Sequence, residues 1–83
     1  MLEFKFDTQL LITGHDLDED EIHDYIVDHF EGDSLLAVGD EDLIKIHFHT
    51  NEPWKILEYA ATKGDIYDIV VENMQRQAEG LKG

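Results

Sequence analysis

The sequence predicts an α+β fold with the element order β-α-β-β-α-β, and three observations carry that expectation. Four segments rich in β-branched and aromatic residues alternate apolar and polar side chains with period two. Two intervening segments repeat apolar residues at three- and four-residue spacing, the signature of a half-buried helix. Glycine or a polar cluster closes the segments at short connections. The 83 residues suffice for one domain, 1–83, with no room for a second core.

Leu2 to Thr13 reads as the first strand, with Phe4, Phe6, Thr8, Leu10 and Ile12 on one face and Lys5, Asp7, Gln9 and Leu11 on the other. Gly14 closes it. Asp18 is expected to cap the first helix, because Glu21 completes a capping-box pattern and the acidic run suits the positive end of the helix dipole. Ile22, Tyr25, Ile26 and Phe30 recur as its buried stripe, and Gly32 is expected to end it. Ser34 to Val38 is a short strand, Gly39-Asp40-Glu41-Asp42 a polar turn, and Leu43 to Thr50 the returning strand of a hairpin. Asn51 is expected to cap a second helix entered through Pro53, with Trp54, Ile56, Leu57, Ala60 and Ala61 facing inward and Gly64 ending it. Ile66 to Glu72 is the last strand. From Asn73 the chain reads as helical until Gly80; order is expected over about residues 3–77, with 78–83 a frayed tail or linker stub.

Right-handed crossovers then place the first strand beside the third, at the centre of a four-stranded antiparallel sheet with both helices on one face. This is the ferredoxin-like split arrangement. Its other face is open, and the alternation directs Lys45, His47 and His49 onto it while Ile46 and Phe48 point toward the helices. Two imidazoles at i and i+2 stand about 6.5–7 Å apart along a strand. Asp7, on the neighbouring strand, faces the same way. Three metal-ligating side chains therefore converge without help from any loop, and two imidazole nitrogens with one carboxylate oxygen suit zinc or another divalent metal with a coordination position left open. The contrasting reading of the histidine pair is an exposed or dimer-interface surface.

Other features narrow the function by exclusion. Six basic against twenty acidic residues give a net charge of −14, and 12 of the acids lie between Asp16 and Asp42. Such a surface repels phosphate backbones and anionic headgroups, so no nucleic acid and no membrane insertion are expected. The cluster itself reads as a solvated helix face. Cysteine is absent, which removes disulfides, thiolate ligands and a cysteine nucleophile. No basic run precedes an apolar segment at Met1 to Lys5, so a cytoplasmic address is expected by default. His15, His23 and His29 read as loop or solvated helix residues, Trp54 and Tyr59 as core and rim, and Thr8 as buried. The glycines sit singly at element ends and form no phosphate-cradling loop, so no nucleotide is expected.

Asp7-Thr8-Gln9-Leu10-Leu11-Ile12, Leu17-Asp18-Glu19-Asp20, Gly32 to Asp40, Lys45 to Asn51, Gly64-Asp65-Ile66 and Val71-Glu72-Asn73-Met74 together resemble the middle domain of the dihydroxyacetone-kinase-like proteins, the group that includes the bacterial fatty acid kinase. The resemblance runs from about Phe4 to Gln77. It implies a non-catalytic interaction and dimerisation domain, partnered by a kinase domain or a fatty-acid-binding protein. It also implies a metal constellation of one cysteine and two histidines. The histidines fall on His47 and His49, and the cysteine position on Asp7, since the family pattern Tyr-Cys-Thr-Glu here reads Phe6-Asp7-Thr8-Gln9. Carboxylate is a harder partner than thiolate and widens the choice beyond zinc. The nucleotide-binding kinase domain has no counterpart in these residues, so the chain is expected to be a free-standing relative or a piece of a longer polypeptide, and not an enzyme by itself. Two alternatives stand beside this one: a small metal-dependent hydrolase centred on Asp7, His47 and His49, with Glu72 facing the site, and a ligand-sensing regulatory domain of the same fold.

Overall fold

A computed structural model describes residues 1–83. The elements run β1 (Phe6–Thr13), α1 (Glu19–His29), β2 (Gly32–Gly39), β3 (Leu43–Thr50), α2 (Pro53–Ala61), β4 (Asp65–Asn73) and α3 (Met74–Ala78). The strands form one sheet in the order β2-β3-β1-β4, and every adjacent pair is antiparallel. This is the expected ferredoxin-like arrangement. The two central strands supply nearly half of the core: Leu10, Ile12, Ile44, Ile46 and Phe48 pack against Ile22 and Ile26 of α1 and Ile56, Tyr59 and Ala60 of α2. Burying these side chains is the main force holding sheet and helices together, worth about 1.5–3 kcal/mol for each large apolar group.

Local signals explain where the elements start and turn. The Asp18 side chain accepts from the Glu21 backbone N–H at 3.1 Å, closing one orphan donor of α1. The reciprocal half of the capping box is not made, because the Glu21 carboxylate accepts instead from Lys63 Nζ at 3.2 Å. In the hairpin turn, Asp40 Oδ1 accepts from the backbone of Asp42 and Leu43 at 2.9 and 3.0 Å. Asn73 caps α3 by accepting from the Arg76 N–H.

Several expectations are corrected. β1 begins at Phe6, not Leu2. Gly32 does not end α1, whose cap is Phe30 in extended conformation; it opens β2, where a Cβ would collide with the His49 carbonyl and the Phe48 ring. Asn51 does not cap α2. Its amide clasps the N-terminal segment, accepting from Lys5 N–H at 3.0 Å and donating to Glu3 O at 2.9 Å, and Glu52 takes the cap position without a side-chain bond. The inner face of α2 is Pro53, Ile56, Tyr59 and Ala60, with Leu57 partly buried; Trp54 is 59% exposed and Ala61 is exposed. The face rotates because Pro53, not Asn51, is seated against the core. On α1, Ile22 and Ile26 are buried, while Tyr25 lies at the rim stacked between His29 and Tyr59, at 3.8 and 4.1 Å between ring centroids.

Both edge strands carry a one-residue bulge. In β2 the pairing moves from Asp33↔His49 to Leu36↔His47, and in β4 from Val70↔Gln9 to Tyr67↔Leu11. Each bulge holds a non-glycine residue in the left-handed region, Ser34 at φ 56° and Asp68 at φ 50°.

Candidate metal centre

Cross-strand register builds the site. Asp7 on β1 is directly opposite His49 on β3, and Gln9 opposite His47. Paired residues share a face, and Thr8, Ile46 and Phe48 occupy the buried one, so Asp7, Gln9, His47 and His49 all stand on the open side. Both strands are central, so the backbone beneath these side chains is paired on two sides and rigid. Rigid elements hold ligating groups more closely than loops do.

The three expected residues meet. His47 Nε2 lies 3.0 Å from Asp7 Oδ1 and 3.1 Å from His49 Nε2, and His49 Nε2 lies 3.9 Å from the same carboxylate oxygen. One donor atom from each falls within 4.8 Å of the other two. The side chains are partly buried, at 31% exposure for His47, 24% for His49 and 20% for Asp7. Two imidazole nitrogens and a carboxylate oxygen aimed at one point form an N2O donor set that fits a first-row divalent ion and leaves a coordination position free.

Two further residues touch this group. Gln9 Nε2 donates to the Asp7 carboxylate at 3.3 and 3.5 Å, holding it toward the histidines. Asp33 Oδ1 on β2 lies 3.5 Å from His49 Nδ1, the ring nitrogen turned away from the centre. Sequence reading put Gln9 on this face without a role and did not find Asp33. Counted back from the hairpin turn with regular pairing, Asp33 would face Thr50; the bulge at Ser34 carries it onto His49. Glu72 is opposite Asp7 on the other side, as the hydrolase alternative required, but its carboxylate accepts from Gln77 Nε2 at 2.7 Å.

The remaining histidines stay apart. His23 pairs with Asp24 at 3.1 Å on the surface, and His29 donates through Nδ1 to the Tyr25 carbonyl at 2.9 Å. His15 is exposed in the loop before α1. Thr8 is fully buried, as expected. Two clefts open elsewhere, around Phe30, Lys55 and Glu52 and around Tyr25, Tyr59 and Lys63; neither includes Asp7, His47 or His49. No helix is long and apolar enough to cross a membrane.

An apolar rim surrounds the centre. Leu36 pairs with His47, Val38 with Lys45, Tyr67 with Leu11 and Val70 with Gln9, so all lie on the open face, and Leu43 joins them by strand alternation. Leu36, Val38, Leu43, Tyr67 and Val70 are exposed.

The family of FakA-like fatty acid kinase middle domains matches residues 3–81. Protein YloV of Bacillus subtilis (strain 168) is 36% identical over 80 residues, covering 92% of this chain. Uncharacterized proteins of Staphylococcus aureus strains USA300 and COL are each 44% identical over 46 residues, or 55% of the chain. The chain spans only 14% of the length of the Bacillus protein and 8% of the staphylococcal ones. A match across almost all of the sheet and both packed helices makes this chain a member of the FakA-like middle-domain family of fatty acid kinases.

Proposed function

We propose that this chain is a non-catalytic interaction domain that pairs with a second copy of itself through the open sheet face and carries a divalent metal at the middle of that face. The carrying observation is the convergence of Asp7, His47 and His49 within 4.8 Å, ringed by exposed Leu36, Val38, Leu43, Tyr67 and Val70. A small domain seldom leaves so many apolar side chains together on one face unless something covers them. A two-fold partner of the same chemistry would cover them, and the charged centre would then be enclosed on both sides.

His47 Nε2, His49 Nε2 and an Asp7 carboxylate oxygen would hold the ion. Bound there, it supplies positive charge that compensates the carboxylate and ties β1 to β3. The chain's own residues do the rest: Gln9 steadies Asp7, the sheet fixes both imidazoles, and the rim keeps water from the centre in a dimer. In the wider system the domain would hold a kinase domain or a fatty-acid-binding partner in place; that the matching family is described as a middle domain supports partner domains on either side. Asp7, His47 and His49 stand on an open plate of strands outside both clefts, which favours this reading over a hydrolase.

Metal analysis of protein purified without chelator tests the centre: one divalent ion per chain is expected, and none in His47→Ala. Light scattering behind size-exclusion chromatography tests the pairing. A monomer mass at high micromolar concentration would overturn the dimer, and absence of metal after loading with Zn(II), Mn(II) and Co(II) would overturn the centre.

A further inference from the structure

We infer that two copies of this chain meet about a two-fold axis running across their strands, with Lys45 of each copy seated on the acidic row of its partner. The inference rests on the pairing through the open face proposed above and fixes its geometry. Cross-strand register divides that face into rows two residues, or about 6.5–7 Å, apart. Lys45 shares its row with Val38, Leu11 and Tyr67; the next row is Leu36, His47, Gln9 and Val70, and the third Asp33, His49, Asp7 and Glu72. Three carboxylates therefore gather in the third row, and the Asp33 side chain among them is 61% exposed. Lys45 is the only lysine or arginine in the four strands. It is exposed between Val38 and Leu11 and has no ion-pair partner of its own, whereas Lys55 pairs with Glu52 and Lys63 with Glu21. Covering this face would bury an ammonium group, which is costly unless a carboxylate arrives with the cover.

Identical sheets that pack with aligned strands have two simple ways to meet about an axis lying between them. An axis along the strands sets each row on itself. Asp33 then lies against Glu72 of the second copy and Lys45 against Leu11, so like charges oppose one another and the ammonium groups stay unpaired. An axis across the strands, over the middle row, exchanges the outer rows instead. Lys45 then meets the position of His49 in the second copy, between Asp33 and Asp7, and the Tyr67 hydroxyl meets Glu72. In the middle row Leu36 meets Leu36 and Val70 meets Val70, so apolar contacts flank the axis at both edges of the sheet. Packed sheets stand about 10 Å apart, a gap that a lysine and an aspartate span from opposite sides. Opposite charges brought together and like charges kept apart select the second geometry.

Sedimentation equilibrium of the intact chain reads the dimer dissociation constant, with circular dichroism confirming the fold of each variant. Lys45→Glu is expected to raise that constant about 10–100-fold, since every dimer contains the contact twice. Asp33→Lys should raise it as well, because it sets a lysine against Lys45. Mixed one to one, the two variants should associate with each other about as tightly as the unsubstituted chain does with itself, each contact again joining one acid and one base. Both side chains are exposed, so neither exchange disturbs the core. A dimer indifferent to Lys45→Glu overturns the inference and leaves the pairing standing. So does a dimer tightened by Asp33→Lys, the sign expected where Asp33 faces Glu72. An unsubstituted chain that stays monomeric at high micromolar concentration refutes the pairing itself, and the inference with it.

Discussion

Thr8 and Thr50 are two buried threonines on the same face of the sheet, and exchanging each for valine should have opposite effects. Thr8 has no exposed surface, and its Oγ1 has no hydrogen-bond partner. Thr50 is 2% exposed, but its hydroxyl donates to Glu31 O at 2.9 Å and accepts from Glu52 N–H at 3.2 Å. An unpaired buried hydroxyl costs about 1–3 kcal/mol relative to a satisfied one. Valine keeps the branched shape and the strand preference while removing that cost. Thr8→Val is therefore expected to stabilise the domain by about 1–2 kcal/mol, and Thr50→Val to destabilise it by about 1–3 kcal/mol, since it orphans a carbonyl and a helix-start N–H. For a domain of this size each kcal/mol moves Tm by about 4–8 °C. Urea unfolding followed by circular dichroism reads both values, with unchanged slopes confirming that the native fold is retained. If Thr8→Val lowers the midpoint, or if both substitutions act in the same direction, the hydrogen-bond accounting is wrong.

Three other outcomes follow from the geometry. Ser34→Gly and Asp68→Gly should each stabilise by about 1 kcal/mol in the same urea assay, because glycine enters the left-handed region without the Cβ clash. The corrected face of α2 predicts that Trp54→Ala changes stability by less than about 0.5 kcal/mol while Ile56→Ala costs about 2–5 kcal/mol. The third concerns alkali. Burial raises the Tyr59 phenol above its ordinary range, and the hydrogen bond to Glu21 raises Lys63. Both groups bind protons more tightly folded than unfolded, so the stability they contribute is complete below about pH 10 and is lost as pH rises through the folded values. Tyr59→Phe should flatten that alkaline decline, since it removes the raised phenol and the phenolate that helps raise Lys63, as measured by urea midpoints between neutral pH and strong alkali.

Much of the fold was legible because the local signals were strong and mutually consistent. The period-two alternation of Leu43 to Thr50 defined a strand whose observed bounds are the expected ones, and Asp18 marked a helix start that the structure reproduces. Asp7, His47 and His49 could be brought together because only the crossover rule and strand alternation were needed. Errors arose where a residue type had two uses. Gly32 reads as a helix stop by composition, yet its function is close packing inside a strand. Asn51 reads as a cap, yet a long-range clasp to Glu3 and Lys5 claims its amide. Trp54 reads as core because it is large and apolar, but Pro53 fixes the rotation of α2 and turns the indole outward. Asp33 was beyond reach for a different reason: a bulge shifts register by one, and no residue near Ser34 announces it, because a serine in the left-handed region carries no glycine signature.

The paired bulges have a further consequence. A sheet's outermost strands ordinarily offer a ladder of free amides and carbonyls on which another molecule's strand can extend the sheet, the route to fibrils and swapped dimers. Here β2 and β4 each break that ladder midway, with Ser34 and Asp68 twisting the pleat out of line. Bulges of this kind disfavour lateral growth at both margins, which leaves the broad surface of the plate for the pairing proposed above.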